Sequence, residues 1–181
     1  MDGSSSQWSS RLYGALYRLC RRCAVGRKGR HEGMTVTIRP LRPLDYQPVI
    51  SVIDDWWNGR RMADMLPHLF FEHFTGTSFV AECDGELAGF LVGFVSQSRP
   101  GEAYIYFVGV RPGERGSGLG RRLYECFFAA VRARGCELVR AVTAPVNHGS
   151  VTFHQRMGFG IEPGNITVGG IPVTAGHDGD G

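Results

Sequence analysis

One stretch constrains this chain more than any other: the run Glu102-Ala-Tyr-Ile-Tyr-Phe-Val-Gly-Val110, then Arg111-Pro112, then Arg115-Gly116-Ser117-Gly118-Leu119-Gly120. The first run is aromatic and β-branched, as a strand requires. From Leu119 to Arg134, Leu123, Phe127, Ala130 and Val131 recur at helical spacing, and Gly135 supplies a stop. The glycines therefore occupy a strand-to-helix turn. With no side chain in the way, their backbone N–H groups can point outward together. The first turn of the helix adds its own unpaired N–H groups and the positive end of its dipole. Such a turn can cradle a phosphate or pyrophosphate.

Three kinds of phosphate loop compete. A P-loop needs G-x-x-x-x-G-K-[ST], and no lysine stands here. A dinucleotide fingerprint needs a βαβ unit at the start and an acidic residue on the next parallel strand. This loop instead follows a meander: strand 78–83, a two-residue Asp84-Gly85 hairpin turn, strand 86–95, loop 97–101 and strand 102–110. Before the meander come a strand in Met34–Leu41, a helix from Pro43 with Val49, Ile50, Val52, Ile53 and Trp56 on its core side, and an aromatic-rich helix over about 64–74. After helix 119–134 come strand 137–143, a short helix 148–157 and a further extended stretch from Gly158. The expected order is β-α-α-β-β-β-α-β-α-β, an α/β (mixed α+β) domain with helices flanking a mixed, mostly antiparallel sheet. Tyr104, Tyr106 and Val108 are expected on one face of the third meander strand.

Val108-Gly109-Val110-Arg111-Pro112-x-x-Arg115-x-x-Gly118-x-Gly120 resembles the acyl-CoA pyrophosphate loop, [Q/R]-x-x-G-x-[G/A], of the Gcn5-related N-acetyltransferases (GNAT family). Asn147-x-x-Ser150-x-x-Phe153-His154-x-x-Met157-Gly158-Phe159 resembles that family's second motif at the expected distance. The likeness covers about residues 35–159. It implies the GNAT fold, in which the strand before the loop carries a β-bulge and splays from the next parallel strand. The bulge is expected near Val108 to Val110, freeing backbone groups there for a pantetheine arm.

The resemblance also implies acetyl-CoA as cosubstrate and direct transfer of its acetyl group to an amine. Val108, Gly109 and Val110 would hold the pantetheine, with Val110 N–H beside the acetyl carbonyl. Arg115, Gly116, Ser117, Gly118, Leu119, Gly120 and Arg121 would hold the pyrophosphate. Asn147 and Ser150 stand where the family has its pantetheine-binding asparagine and a small neighbour, and capping the helix is their alternative use. His154 replaces the tyrosine that many members use as the acid for the leaving thiolate, and its alternative use is packing. Glu102 and Tyr104 are the base candidates on the strand, with Asp55, His68 and His73 on the acceptor side. Trp57, Arg60, Arg61 and Tyr106 are candidate acceptor-binding residues, suited to an aromatic or carboxylate group. The acceptor stays open between an amino acid or other small amine, an antibiotic, and a protein N-terminus or lysine. A non-catalytic acyl-CoA sensor is the rival from another class.

Composition bounds the remaining readings. The net charge of +3 is uneven: residues 1–33 carry seven Lys+Arg against two acids, the rest 13 against 15. The body is thus no nucleic-acid binder by charge. Residues 1–33 read as a basic, disordered extension of a domain at 34–181; Leu12, Leu16, Leu19 and Cys23 would share one face if the segment were a helix. No apolar run reaches the roughly 20 residues of a membrane span. Five cysteines without a framework fit a cytoplasmic location, and the Cys20/Cys23 pair has no partners for a metal site, so none is expected. The glycine-rich stretch after Val173 leaves no evident closing strand, which a homodimer could supply by exchange.

Overall fold

The computed structural model describes residues 15–19, 35–144, 147–162, 166–168 and 171–173. They divide into two compact units, Arg18–Ala141 and a second formed by Val142–Gly181 with Met1–Tyr17. In the first, the strands β2 (Val36–Pro40), β3 (Phe79–Cys83), β4 (Glu86–Val95), β5 (Glu102–Val110) and the Leu138–Ala141 part of β6 (Leu138–Thr143) lie side by side in that order. All neighbours are antiparallel except β5 and β6, which run parallel. The helices are α1 (Tyr46–Trp56), α2 (Leu69–His73) and α3 (Leu119–Arg132). The mixed sheet with flanking helices agrees with the expected fold.

The core follows from side-chain periodicity. On one face of the sheet, Val49, Ile53 and Trp56 of α1 are buried with Leu41, Leu66, Phe71, Val80, Phe90, Val92 and Phe107. Helix α3 buries Leu119, Leu123, Tyr124, Phe127 and Val131. Burial pushes the Tyr124 phenol well above its ordinary range. The Asp84-Gly85 hairpin has φ of 50° and 84°, the pair of positive values that a two-residue hairpin turn needs. Its Asp84 carboxylate accepts the Thr35 N–H at 2.9 Å.

Several expectations are corrected. Over 64–74, a 3-10 turn at Ala63–Met65 is separated from α2. Pro67 explains the break, because a residue before proline is driven from helical geometry, and Leu66 sits at φ −119°, ψ 81°. The bulge lies earlier than Val108: Val92 pairs with Phe107 and Gly93 with Ile105, so Tyr106 is the extra residue. Tyr106 and Phe107 consequently share one face, with Tyr106 stacked on Phe70 (centroids 4.3 Å apart) and Phe107 edge-on to Trp57 (5.4 Å). Val108 falls on the opposite face from Tyr106.

The second unit contains α4 (His148–Arg156), β7 (Gly160–Glu162) and a hairpin of β8 (Ile166–Val168) and β9 (Ile171–Val173). That hairpin, with Ile166 opposite Val173, is a two-stranded sheet of its own and adds no closing strand to the mixed sheet. The glycine content hid it, because three residues a side suffice for a short ladder. Ala15–Leu19 forms β1, an extended segment rather than a helix. The rest of the N-terminal extension, including Cys20 and Cys23, lies outside the described residues. Among the described residues no helix is long and apolar enough to cross a membrane, and no His/Cys/Asp/Glu cluster is suited to a metal.

Candidate active site

The glycine turn joins β5 to α3. Pro112–Glu114 make a 3-10 turn, and Arg115 leaves it in extended geometry. Gly116 (φ 83°) and Gly118 (φ 88°) then take the left-handed conformation that favours glycine, with Gly118 as the N-cap of α3. A Cβ built on either would meet no atom within 4 Å, so the space beside the turn is open and the glycines serve the backbone's curvature. Local bonds take up three of the loop's donors: Arg115 N–H donates to Pro112 O, Ser117 N–H to Glu114 O and Leu119 N–H to Ser117 Oγ. The N–H groups of Gly116, Gly118, Gly120 and Arg121 have no hydrogen-bond acceptor among the described residues. Clustered at the start of a 14-residue helix, they are an arrangement that can cradle an anion.

Strand β5 extends this donor set. The parallel ladder to β6 covers Glu102 to Ile105, so Val108 and Val110 lie beyond it. On the other side, Arg111 N–H donates to Ala88 O at 2.9 Å. Alternation along a strand therefore turns the N–H groups of Val110 and Val108 away from β4. The bulge at Tyr106 marks where β5 and β6 part. Gly109 lies between the two valines, where a Cβ would come within 2.6 Å of Phe90 Cε1 and 3.0 Å of Trp57 Cη2. Close packing, not backbone freedom, demands glycine there.

The candidate acceptor side is the segment between α1 and α2. Asp54 Oδ1 accepts the N–H groups of Met62 and Ala63 at 2.7 and 2.8 Å, folding the segment back on the end of α1. Sequence reasoning missed this residue; the Asn58-Gly59 turn after it is the signal, since a reversing chain exposes donors to a nearby carboxylate. Tyr106 donates its hydroxyl to Met65 O at 2.7 Å. Arg115 donates from Nε to Val110 O at 3.2 Å and from Nη2 to Trp56 O. Arg60 and Arg61 are exposed, Arg61 pairing with Asp64 at 2.7 Å. Trp57 and the glycine turn are thus brought together at the end of β5, while Tyr106 holds the far end of the segment at Met65.

Glu102 is not part of that group. It accepts from Arg140 Nε at 2.9 Å, pairs with Arg99 at 3.7 Å, and stands six residues before Val108, about 20 Å along the strand. Tyr104 stacks on Phe94, centroids 5.6 Å apart. His68 pairs with Glu72 at 3.6 Å, while Asp55 and His73 are exposed.

Helix α4 carries the second motif. Asn147 Oδ1 accepts the Ser150 N–H at 3.1 Å and caps the helix. His154 is only 3% exposed, edge-on to Phe159, with Nδ1 2.8 Å from Ser150 O and 3.3 Å from Ser150 Oγ. A carbonyl oxygen only accepts, so Nδ1 carries the proton. Burial pushes this imidazole below its usual range, outweighing the opposing pull of the Ser150 carbonyl. The ring is neutral near pH 7, a state ill suited to delivering a proton.

Comparison with known proteins places this arrangement. The L-2,4-diaminobutyric acid acetyltransferase of Nocardia farcinica is 32% identical over 83 residues, covering 46% of this chain and 43% of that protein. The chain thus matches less than half the length of this relative. A diaminobutyrate acetyltransferase from Paenibacillus lautus, solved with its substrate L-2,4-diaminobutyric acid and coenzyme A, superposes with a TM-score of 0.57 at 21% identity, covering 69% of this chain and 73% of that one. The aminoglycoside N-acetyltransferase AAC(6')-Iy, solved with CoA, superposes with a TM-score of 0.61 at 22% identity, covering 77% of this chain and 97% of that one. At these identities the two structures speak for the fold. The acetyltransferase (GNAT) family model matches residues 46–159, from the first helix through the second motif, and the chain belongs to that family.

Proposed function

We propose that the domain binds acetyl-CoA along the glycine turn and β5 and transfers its acetyl group to the primary amine of a small molecule. The observation that carries this reading is the line of outward donors: Val108 and Val110 N–H on β5, then Gly116, Gly118, Gly120 and Arg121 N–H at the head of α3. The turn suits a pyrophosphate, and the exposed strand edge suits the amide-bearing arm that follows it. An N–H of β5 would polarise the thioester carbonyl. The amine nitrogen then attacks the carbonyl carbon, the C–S bond breaks with CoA leaving as its thiolate, the amine gives up a proton to solvent, and the thiolate takes one from solvent. Holding the two reactants in line supplies much of the acceleration. Neutral, buried His154 packs α4 in this reading rather than protonating the thiolate. The diaminobutyric acid specificity named for the Nocardia relative favours a small, amine-bearing acceptor over a protein.

The test is release of free CoA thiol from acetyl-CoA in the presence of a panel of diamino acids, aminoglycosides and peptide N-termini. Turnover with a small amine is the expected result. Tight coenzyme binding with no turnover on any acceptor would replace this reading with the sensor one. Loss of coenzyme binding in a Gly118→Val variant that remains folded locates the cradle.

A further inference from the structure

The segment from Trp56 to Met65 hangs from the strand and turn that form the donor site. At one end, Trp56 O accepts from the Arg115 guanidinium. Next to it, the Trp57 indole lies over Gly109 and edge-on to Phe107. At the other end, Met65 O accepts from the Tyr106 hydroxyl at 2.7 Å. All four partners, Arg115, Gly109, Phe107 and Tyr106, belong to β5 or to the first residue of the glycine turn. The segment forms no sheet ladder; its other supports are turns, the Asp54 carboxylate, the Arg61–Asp64 pair and the burial of Trp56 and Met62 in the core.

Arg115 is the member of this set with two ends. Its backbone opens the turn, in extended geometry at φ −68°, ψ 141°, immediately before the outward N–H of Gly116. Its side chain spans two carbonyls, Val110 O at the end of β5 and Trp56 O at the end of α1. The fixed fork of a guanidinium can hold both at once, which a lysine ammonium on a flexible stem does poorly. An anion that fixes the Gly116 peptide also fixes the Arg115 backbone, and with it the angle at which the guanidinium meets α1.

We propose that Arg115 is a positioning residue that couples occupancy of the donor cradle to the order of the acceptor-side segment Trp56–Met65. Coenzyme binding tightens the acceptor wall through the Arg115–Trp56 contact, and acceptor binding by reciprocity tightens the coenzyme. This rests on the coenzyme-binding part of the function proposed above, and the experiment separates the two.

Amide hydrogen exchange of the full-length chain is followed by mass spectrometry with and without saturating CoA, whose dissociation constant is measured by calorimetry. In the wild type, CoA should slow exchange in peptides covering residues 57–62 by about fivefold or more, the lower end of ordinary coupling between sites. In Arg115→Lys, with CoA raised to saturate the variant, that protection should vanish while protection of residues 116–121 persists. With a turned-over amine in hand, Arg115→Lys should raise KM for the amine more than it lowers kcat. A merely structural role for Arg115 would instead lower the melting temperature and leave the CoA-dependent protection intact. Wild-type protein that binds CoA with no change over 57–62 overturns the coupling, as does full protection in Arg115→Lys. Failure of the wild type to bind CoA overturns the function proposal itself.

Discussion

Replacing Gly109 with alanine tests the geometry of the donor strand directly. The new Cβ would stand 2.6 Å from Phe90 Cε1 and 3.0 Å from both Phe90 Cζ and Trp57 Cη2, against an ordinary contact of 3.4–4 Å. Phe90 has no room to retreat: it is fully buried, stacked on Phe107 at 5.9 Å and tilted against Trp56 at 6.1 Å. Trp57 is half-buried and can swing outward, so part of the strain is relieved on that side. Overpacking of this kind costs about 1–3 kcal/mol. At 2–4 °C per kcal/mol for a chain of this size, Gly109→Ala should melt about 2–12 °C lower. Thermal unfolding followed by circular dichroism measures this, and calorimetric titration with CoA reports whether the Val108 and Val110 donors have moved. A second substitution, Phe90→Leu, removes the ring that the added methyl group would strike. The double variant should therefore lose less stability than the two single changes together. Unchanged stability in Gly109→Ala, or strict additivity in the double variant, would refute the claim that this glycine exists for close packing.

Three other outcomes follow from the same contacts. Asp54→Ala strands the part-buried Met62 and Ala63 N–H groups, and at about 1–3 kcal/mol for each donor left unmade it should cost roughly 2–6 kcal/mol by urea unfolding. Asp54→Asn, which keeps the oxygen acceptor, should recover at least half of that. For Asp45, burial raises the carboxyl's pKa, but hydrogen bonds from Arg39 and Arg42 N–H outweigh it and hold the net value below the ordinary carboxylate range. Its stabilisation is present above the unfolded value of about 3.9 and disappears as pH falls through the lower folded value, so Asp45→Asn should flatten the acid limb of the stability curve below about pH 4. For His154 the window lies higher: the unfolded imidazole takes a proton near pH 6.5 while the buried one stays neutral, so stability should fall as pH drops below about 6.5. That slope should be missing in His154→Phe, with the midpoint of urea unfolding measured between pH 5 and 8.

What could be read from the sequence, and what could not, divides by the range of the interaction. The turn at Gly116 and Gly118 and the hairpin at Asp84-Gly85 were legible because positive φ is a local demand that few residues meet. The helices were legible where their apolar spacing was long, as in α3, and misread where Pro67 should have divided the aromatic-rich segment. The bulge was not legible, because register is a property of two strands. Nothing within Glu102–Val110 distinguishes Tyr106 from Tyr104, and only the offset between Val92 and Gly93 makes it the extra residue. One misplaced bulge reverses which side chains face α1, moving Phe107 into the core and Val108 to the other face. The observed register also fixes the backbone: with no bulge between Val108 and Arg111, and Arg111 N–H bonded to Ala88 O, both valines turn their N–H groups from β4. The protonation state of His154 was beyond reach for the same reason: its motif position suggested an acid, whereas its burial beside Phe159 and its bond to Ser150 exist only once the chain is folded. In the proposed function, donor recognition would use backbone groups whose directions follow from strand and turn geometry, so it survives errors about side chains. Acceptor recognition would depend on which side chains line the segment after α1, and that is set by long-range contacts such as Arg115 to Trp56 and Tyr106 to Met65. The first half of a bisubstrate site can therefore be argued from a short pattern of glycines, while the second half requires the fold.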